Sequence, residues 1–235
     1  MKNALGAAAL WLATAFGVAA QPSHSEHELK AYEVPSGDIF GFTTPTDVGN
    51  PGDKDIALET TTRLGKRGGT YWSPTLKTQV GGTITNNVWL GVSPFVTGHR
   101  IRSVPDLDDR SQLRFDGFSG EVIYRFLERT QTNPLAAAFS IEPRVARVGP
   151  VTGEPVSAYA AEFKLLLDAV LVPDRLYAAI NLNYALGTER HRWAVDAKWE
   201  EASATNVSGA LAYQATERVL VGVEARYLTI FPALS

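Results

Sequence analysis

Four histidines are the natural starting point for acid–base or metal chemistry, and two of them, His24 and His27, sit together in Ser-His-Ser-Glu-His-Glu. That pair could bind a transition metal weakly, but its polar setting reads first as a flexible mature N-terminus. His99 and His191 fall near one predicted rim of the fold. A rim lipid hydrolase would need a serine and an acid beside one of them, with Ser93 or Ser119 the nearest hydroxyls. The chain contains no Gly-x-Ser-x-Gly elbow to expose such a serine. Asp47, Asp53 and Asp55 flank Gly49-Asn50-Pro51-Gly52 and could ligate calcium, but their spacing fits no EF-hand loop. A tight turn entering the first strand explains them equally well. Asp106, Asp108 and Asp109 pose the same choice between calcium and a solvated acidic loop. His99-Arg100-Ile101-Arg102 reads as a basic rim segment suited to lipopolysaccharide phosphates. Walker loops, dinucleotide fingerprints and zinc spacings are absent from the sequence. The expectation is a protein with no catalytic centre, no metal and no cofactor.

The other candidate residues are charges at alternate positions, and these imply the elements that hold them. From Ile56 onward the chain has a period of two, the signature of strands with unlike faces. Ile56, Leu58 and Leu64 share one face while Glu59 and Arg63 lie on the other. Trp72, Pro74, Leu76 and Val80 alternate with Lys77 and its neighbours. Val88, Leu90, Val92, Pro94 and Val96 oppose Gly91 and Ser93. Further on, Phe118, Val122, Tyr124 and Phe126 oppose Glu121 and Arg125. Phe139, Ile141 and Val145 oppose Glu142 and Arg144. Tyr159, Phe163 and Leu165 oppose Glu162, Lys164 and Asp168. Ile180, Leu182 and Tyr184 oppose Asn181 and Asn183, Val207 and Leu211 oppose Ser208, and Val221, Val223 and Tyr227 oppose Glu224 and Arg226. About nine strands result, most near or above the ~9–11 residues that cross a bilayer at a tilt. Trp193 to Trp199 also alternates, either as a strand or as a hairpin arm. Long polar connections are predicted at Gly98 to Gln112, Gly149 to Pro155 and Gly187 to Arg192. Tighter turns are predicted near Asn86, Asn133, Asp174 and Glu217. Thr85 to Val92 and Thr216 to Val223 resemble each other, as repeated turn-and-strand units would.

The chain has 235 residues and a formal net charge of -3, which argues against a partner held by phosphate contacts such as nucleic acid. It contains no cysteine, so no disulfide supports the fold. Lys2, the apolar run Ala4 to Ala20 and the small residues Val18-Ala19-Ala20 form a predicted signal peptide, 1–20, cleaved before Gln21. Residues 21–55 read as an extended periplasmic lead-in and 56–235 as one β-domain. No later segment approaches the ~20 apolar residues of a spanning helix, so membrane entry would require a barrel.

A soluble sandwich also alternates. The export signal, the strand lengths and the placing of Trp72, Tyr124, Phe126, Tyr184, Tyr213 and Tyr227 near strand ends favour an all-β, transmembrane antiparallel up-and-down β-barrel of the Gram-negative outer membrane. Glu59, Arg63, Lys77, Glu121, Arg125, Glu142, Arg144, Glu162, Lys164, Glu224 and Arg226 then line the interior. They form either a polar pore lining or a salt-bridged plug. The expected partners are outer-membrane lipid and lipopolysaccharide, the barrel-assembly machinery and an unidentified small solute.

Gly41-Phe42-Thr43, Asp47 to Asp53, Gly65 to Gly69, His99 to Arg102, Leu107 to Arg110 and Val172 to Leu176 together resemble a family of uncharacterised proteobacterial outer-membrane β-barrels. That family is distantly similar to the barrels named for the meta-pathway of phenol degradation. The resemblance covers about Gly41 to Tyr227 and implies fold and location, with solute transport as its associated role. Such barrels finish on a strand with a terminal aromatic residue, whereas this chain finishes Phe231-Pro232-Ala233-Leu234-Ser235. With an odd strand number, that ending leads us to expect a C-terminally incomplete barrel of about 10–12 strands when complete.

Overall fold

The structure is a computed structural model that describes residues 40–130, 132–192, 198–216 and 219–231, together with the backbone of 9–13. The rest of the predicted signal peptide, His24 and His27, residues 193–197 and Glu217 lie outside the described residues.

A five-residue strand, β1 (Ala9–Ala13), lies within the predicted signal peptide. Among the described residues nine long strands then follow one another: β2 (Lys54–Leu64), β3 (Thr70–Thr85), β4 (Val88–Arg102), β5 (Arg110–Leu127), β6 (Leu135–Val148), β7 (Pro155–Val172), β8 (Leu176–His191), β9 (Glu200–Thr216) and β10 (Val219–Phe231). Every neighbouring pair from β2 to β10 is antiparallel and consecutive in sequence, giving an up-and-down meander. β1 pairs antiparallel with β10.

The sheet is strongly curled. Lys77 on β3 reaches Glu142 on β6 at 2.7 Å. Three inter-strand steps of ~4.8 Å would hold these positions about 14 Å apart in a flat sheet. Among the described residues no pairing joins β2 to β10, so the sheet is an open half-barrel.

Alternation sorts the side chains. On β4, Trp89, Ser93, Phe95, Thr97, His99 and Ile101 are buried on the concave side, while Leu90 and Val92 are exposed on the convex side. Bulges between Phe95 and Val96 and between Ala146 and Val148 place an extra residue in the ladder and sharpen the curvature.

One end carries the connections 65–69, 103–109 and 149–154, and we call it the upper end. The lower end carries 86–87, 128–130, 132–134 and 173–175. One of the predicted long connections is shorter than expected, and another is displaced along the chain. β4 runs to Arg102 and β5 starts at Arg110, so only 103–109 is loop. The physical reason is Ile101, fully buried against Tyr71 and Val104, which anchors the strand end inward. Likewise β8 extends through Gly187 to His191 by pairing with Val156 to Ala160.

Two concave glycines explain how the lower end stays curved. A Cβ on Gly81 or Gly91 would overlap the Trp89 ring, so the indole occupies the space that both glycines leave open. Its Nε1–H donates to Asp55 Oδ1 at 2.8 Å, tying β4 to the start of β2. Trp89 also belongs to a buried cluster with Val48, Ile123, Ala138 and Leu166.

Candidate functional site

The concave face is the candidate site, and it has three levels. The middle level is a band of charges. Lys164 on β7 meets Glu121 at 3.0 Å, Glu142 at 3.1 Å and Glu162 at 3.8 Å. Lys77 meets Glu142 from the other side at 2.7 Å. Neutral donors add further hydrogen bonds to the carboxylates: Ser119 to Glu142 (2.7 Å), Ser140 to Glu121 (2.7 Å), Gln79 to Glu121 (3.2 Å) and Asn183 to Glu162 (3.0 Å). Buried charges are tolerated when paired and hydrogen-bonded in this way. The band crosses the interior from β3 to β8.

Below the band, the lead-in does not trail away from the sheet. Residues 40–53 form a strap across the concave floor from β10 to β3. Phe40 packs with Val170, Tyr177, Ala179, Ala210 and Ala212. The Glu224 carboxylate on β10 accepts from the backbone N–H groups of Gly41, Phe42 (3.0 Å) and Thr43 (3.0 Å). Asn181 on β8, with its amide oriented to satisfy both atoms, accepts from the Thr44 N–H (2.6 Å) and donates to the Thr44 carbonyl (2.9 Å). Asp168 on β7 accepts from the Thr46 N–H at 2.6 Å. Val48 enters the Trp89 cluster, and its carbonyl accepts from the Thr83 hydroxyl on β3.

The register explains why the strap fits. Glu224 pairs with Ala210, Ala210 with Ala179, and Ala179 with Asp168. Two carboxylates at one level are thus separated by two alanines, which leaves a trough one chain thick. Arg129, from the lower segment 128–130, closes the strap with ion pairs to both Asp47 and Asp168. Burial opposes the charge on Arg129, but the two carboxylates outweigh it and raise its pKa above the ordinary value. Arg125 adds a second contact to Asp47 at 3.4 Å. Beyond the strap, Asp53 closes the turn into β2 by accepting from the Asn50 N–H at 2.7 Å.

Above the band is a cavity of about 310 Å³ lined by Glu59, Arg63, Lys77, Phe95, Asp116, Glu142, Arg144 and Glu189, with small residues Ala146, Ala158 and Ala160 opposite. Arg144 stacks over Phe95 at 4.2 Å and lies 3.8 Å from Asp116. Asp116 accepts from the Thr97 hydroxyl (2.9 Å) and from the backbone N–H groups of Arg147 (3.1 Å) and Val148 (2.9 Å).

The sequence-derived residues therefore divide. Lys77, Glu121, Glu142, Glu162 and Lys164 come together in the band. Glu59, Arg63 and Arg144 line the upper cavity. Glu224 and Arg125 hold the strap, and Arg226 donates to Asn206 Oδ1 at 3.1 Å. At the upper rim, His99 turns inward and is buried, with neither ring nitrogen hydrogen-bonded, whereas Arg100 and Arg102 are exposed on the convex side. Asp109 caps its own loop by accepting from the Ser103 N–H at 2.7 Å, and Asp106 takes a left-handed turn position. Asp108 lies in the same connection.

Sequence reasoning missed Asp116, Arg129 and Glu189 and gave Asp168 no role beyond its face. Asp168 had the correct parity for the interior. Arg129 carries no such signal, because it lies in a turn. No group of three or more His, Cys, Asp or Glu suited to a metal ion occurs among the described residues.

No curated protein and no solved structure matches the chain. A family model described as a family of unknown function, DUF6662, matches residues 33–233. That match takes in the strap and every long strand, and the chain belongs to the DUF6662 family.

Proposed function

We propose that the protein is a β-barrel of the Gram-negative outer membrane that admits small polar solutes, exported by its signal peptide and inserted by the barrel-assembly machinery. The observation that carries this reading is the distribution of charge across the sheet. The convex face exposes Leu90, Val92, Phe118, Tyr124, Leu182, Val207, Leu211, Val221 and Val223. Among the described residues, outward charges on the strands fall only near their ends: Lys54 below, and Arg100, Arg102, Arg147, Arg190 and Glu201 above. On β8 the uncharged outward positions run from Leu176 to Thr188. Those residues cover roughly 29 Å at ~3.4 Å per residue and a ~45° tilt, close to the ~25 Å apolar band of such barrels. An apolar surface this extensive is unusual for a protein that meets water on every side.

The proteobacterial outer-membrane family resembled in sequence supports the same location. Solute passage is supported by the charged upper cavity. A non-conducting structural or surface-interaction barrel is the second reading, favoured by the strap and the ion-paired band across the interior. A rim lipid hydrolase has the least support, since His99 holds no hydroxyl in hydrogen-bond contact. His99→Ala and His191→Ala would abolish turnover only under that reading.

Fractionation followed by gel mobility before and after boiling tests the location. An outer-membrane band whose mobility changes on boiling is expected, and a soluble periplasmic band contradicts it. Ion current across planar bilayers then separates a channel from a closed barrel.

A further inference from the structure

We infer that the convex upper rim at β6, β7 and β8 binds the phosphorylated headgroup of an outer-leaflet glycolipid, through Arg147, Arg190 and Arg192 set above the ring pair Tyr159 and Trp199. This rests on the outer-membrane reading. Arg147 falls in the register shift between the pairs Ala146–Ala158 and Val148–Pro155, and Arg190 pairs with Ser157. The two arginines therefore flank Ser157 from either side, about two inter-strand steps or ~10 Å apart. Arg192 completes the set by donating from Nε to Ser157 Oγ at 3.1 Å. All three are exposed, and among the described residues none of them forms an ion pair with a carboxylate. Among the described strand residues, the acidic one near them on this face is Glu201, opposite Thr188.

Arg190 is held in place by stacking on Trp199 at 5.3 Å, and Trp199 rests on Tyr159 at 5.8 Å. Aromatic rings at this depth suit the boundary between acyl chains and headgroups, and guanidinium forks match phosphate oxygens in geometry and charge. The occupant is a phosphorylated lipid because the patch lies on the face continuous with the apolar band, not on the concave side open to solutes.

The test uses the full-length protein, folded in detergent, titrated with bis-phosphorylated lipid A and with the same lipid after removal of its phosphates. Retention is read by native mass spectrometry. The wild type retains the phosphorylated lipid preferentially. Arg147→Gln, Arg190→Gln and Arg192→Gln each weaken retention about fivefold, the factor that matches ~1 kcal/mol of headgroup attraction per basic residue. The triple variant weakens it about a hundredfold, while Lys54→Gln, at the opposite, lower end of the convex face, leaves it unchanged. Boiling-dependent gel mobility is measured on every variant to show that it is folded. A folded barrel that retains both lipids equally, or a triple variant that keeps the preference, overturns the site. A wild type with no boiling-dependent form overturns the membrane reading instead.

Discussion

The lower and upper halves of the concave face carry the same residue types at the same strand parity, yet they are used differently. Below the band, Glu224 and Asp168 are buried; Glu224 receives three backbone N–H groups from the strap and Asp168 receives one. Above it, Arg144 keeps 46% of its side chain exposed, and Glu59 and Arg63 stand on the edge strand β2. Position along the strand does not cause the difference. The lower trough has Ala179 and Ala210 between its carboxylates and a polypeptide segment to fill the space. The upper cavity has alanines too, at 158 and 160, but among the described residues no segment lies across them. A charge on an inward position is thus a structural pin where a chain crosses it and a candidate solute contact where none does.

Substitutions in the two halves should separate sharply. Asp168→Ala is the most damaging, because it strips the buried Arg129 of a carboxylate partner and orphans the Thr46 N–H. Breaking a buried pair in this way costs about 3–5 kcal/mol, which urea unfolding in detergent micelles would read directly. Glu224→Gln keeps an acceptor for the strap but removes its charge, and a loss of about 2 kcal/mol is expected in the same assay. Gly91→Ala drives a methyl into the Trp89 ring, for a loss of at least about 1 kcal/mol and a shifted indole emission. In the upper half, Arg144→Gln changes stability by less than about 1 kcal/mol, since its carboxylate neighbour is 3.8 Å away and the guanidinium is half exposed. Its expected effect is on ion selectivity in planar bilayers. A stability loss for Arg144→Gln as large as that for Asp168→Ala would erase the distinction between the halves.

Much of the fold was legible because a period of two states both the element and its faces. Glu121, Glu142 and Lys164 could be placed on one polar face from parity, and inward once a barrel was preferred to a sandwich. Their partners could not, since contacts such as Lys77 to Glu142 depend on curvature, which a strand pattern does not encode. The strap was read as a lead-in for a related reason. Gly41 to Asp53 has no periodicity, and its binding comes from backbone N–H groups that nearly any sequence possesses. The signals available were its two apolar anchors, Phe40 and Val48, and the unexplained carboxylates on β7 and β10. His99 shows the opposite failure. A cluster of basic neighbours suggested a rim segment, while strand parity alternates His99 inward and Arg100 outward.

The most direct test of the division uses the absence of cysteine from the chain, which leaves no background for single-cysteine labelling. Ala210→Cys lies under Phe40 in the lower trough, and Ala160→Cys lines the upper cavity. With a water-soluble maleimide on the folded protein, position 160 should label rapidly and position 210 should stay protected until Glu224→Gln loosens the strap. Equal and rapid labelling at both positions in the otherwise unaltered chain would contradict a strap that seals the lower half.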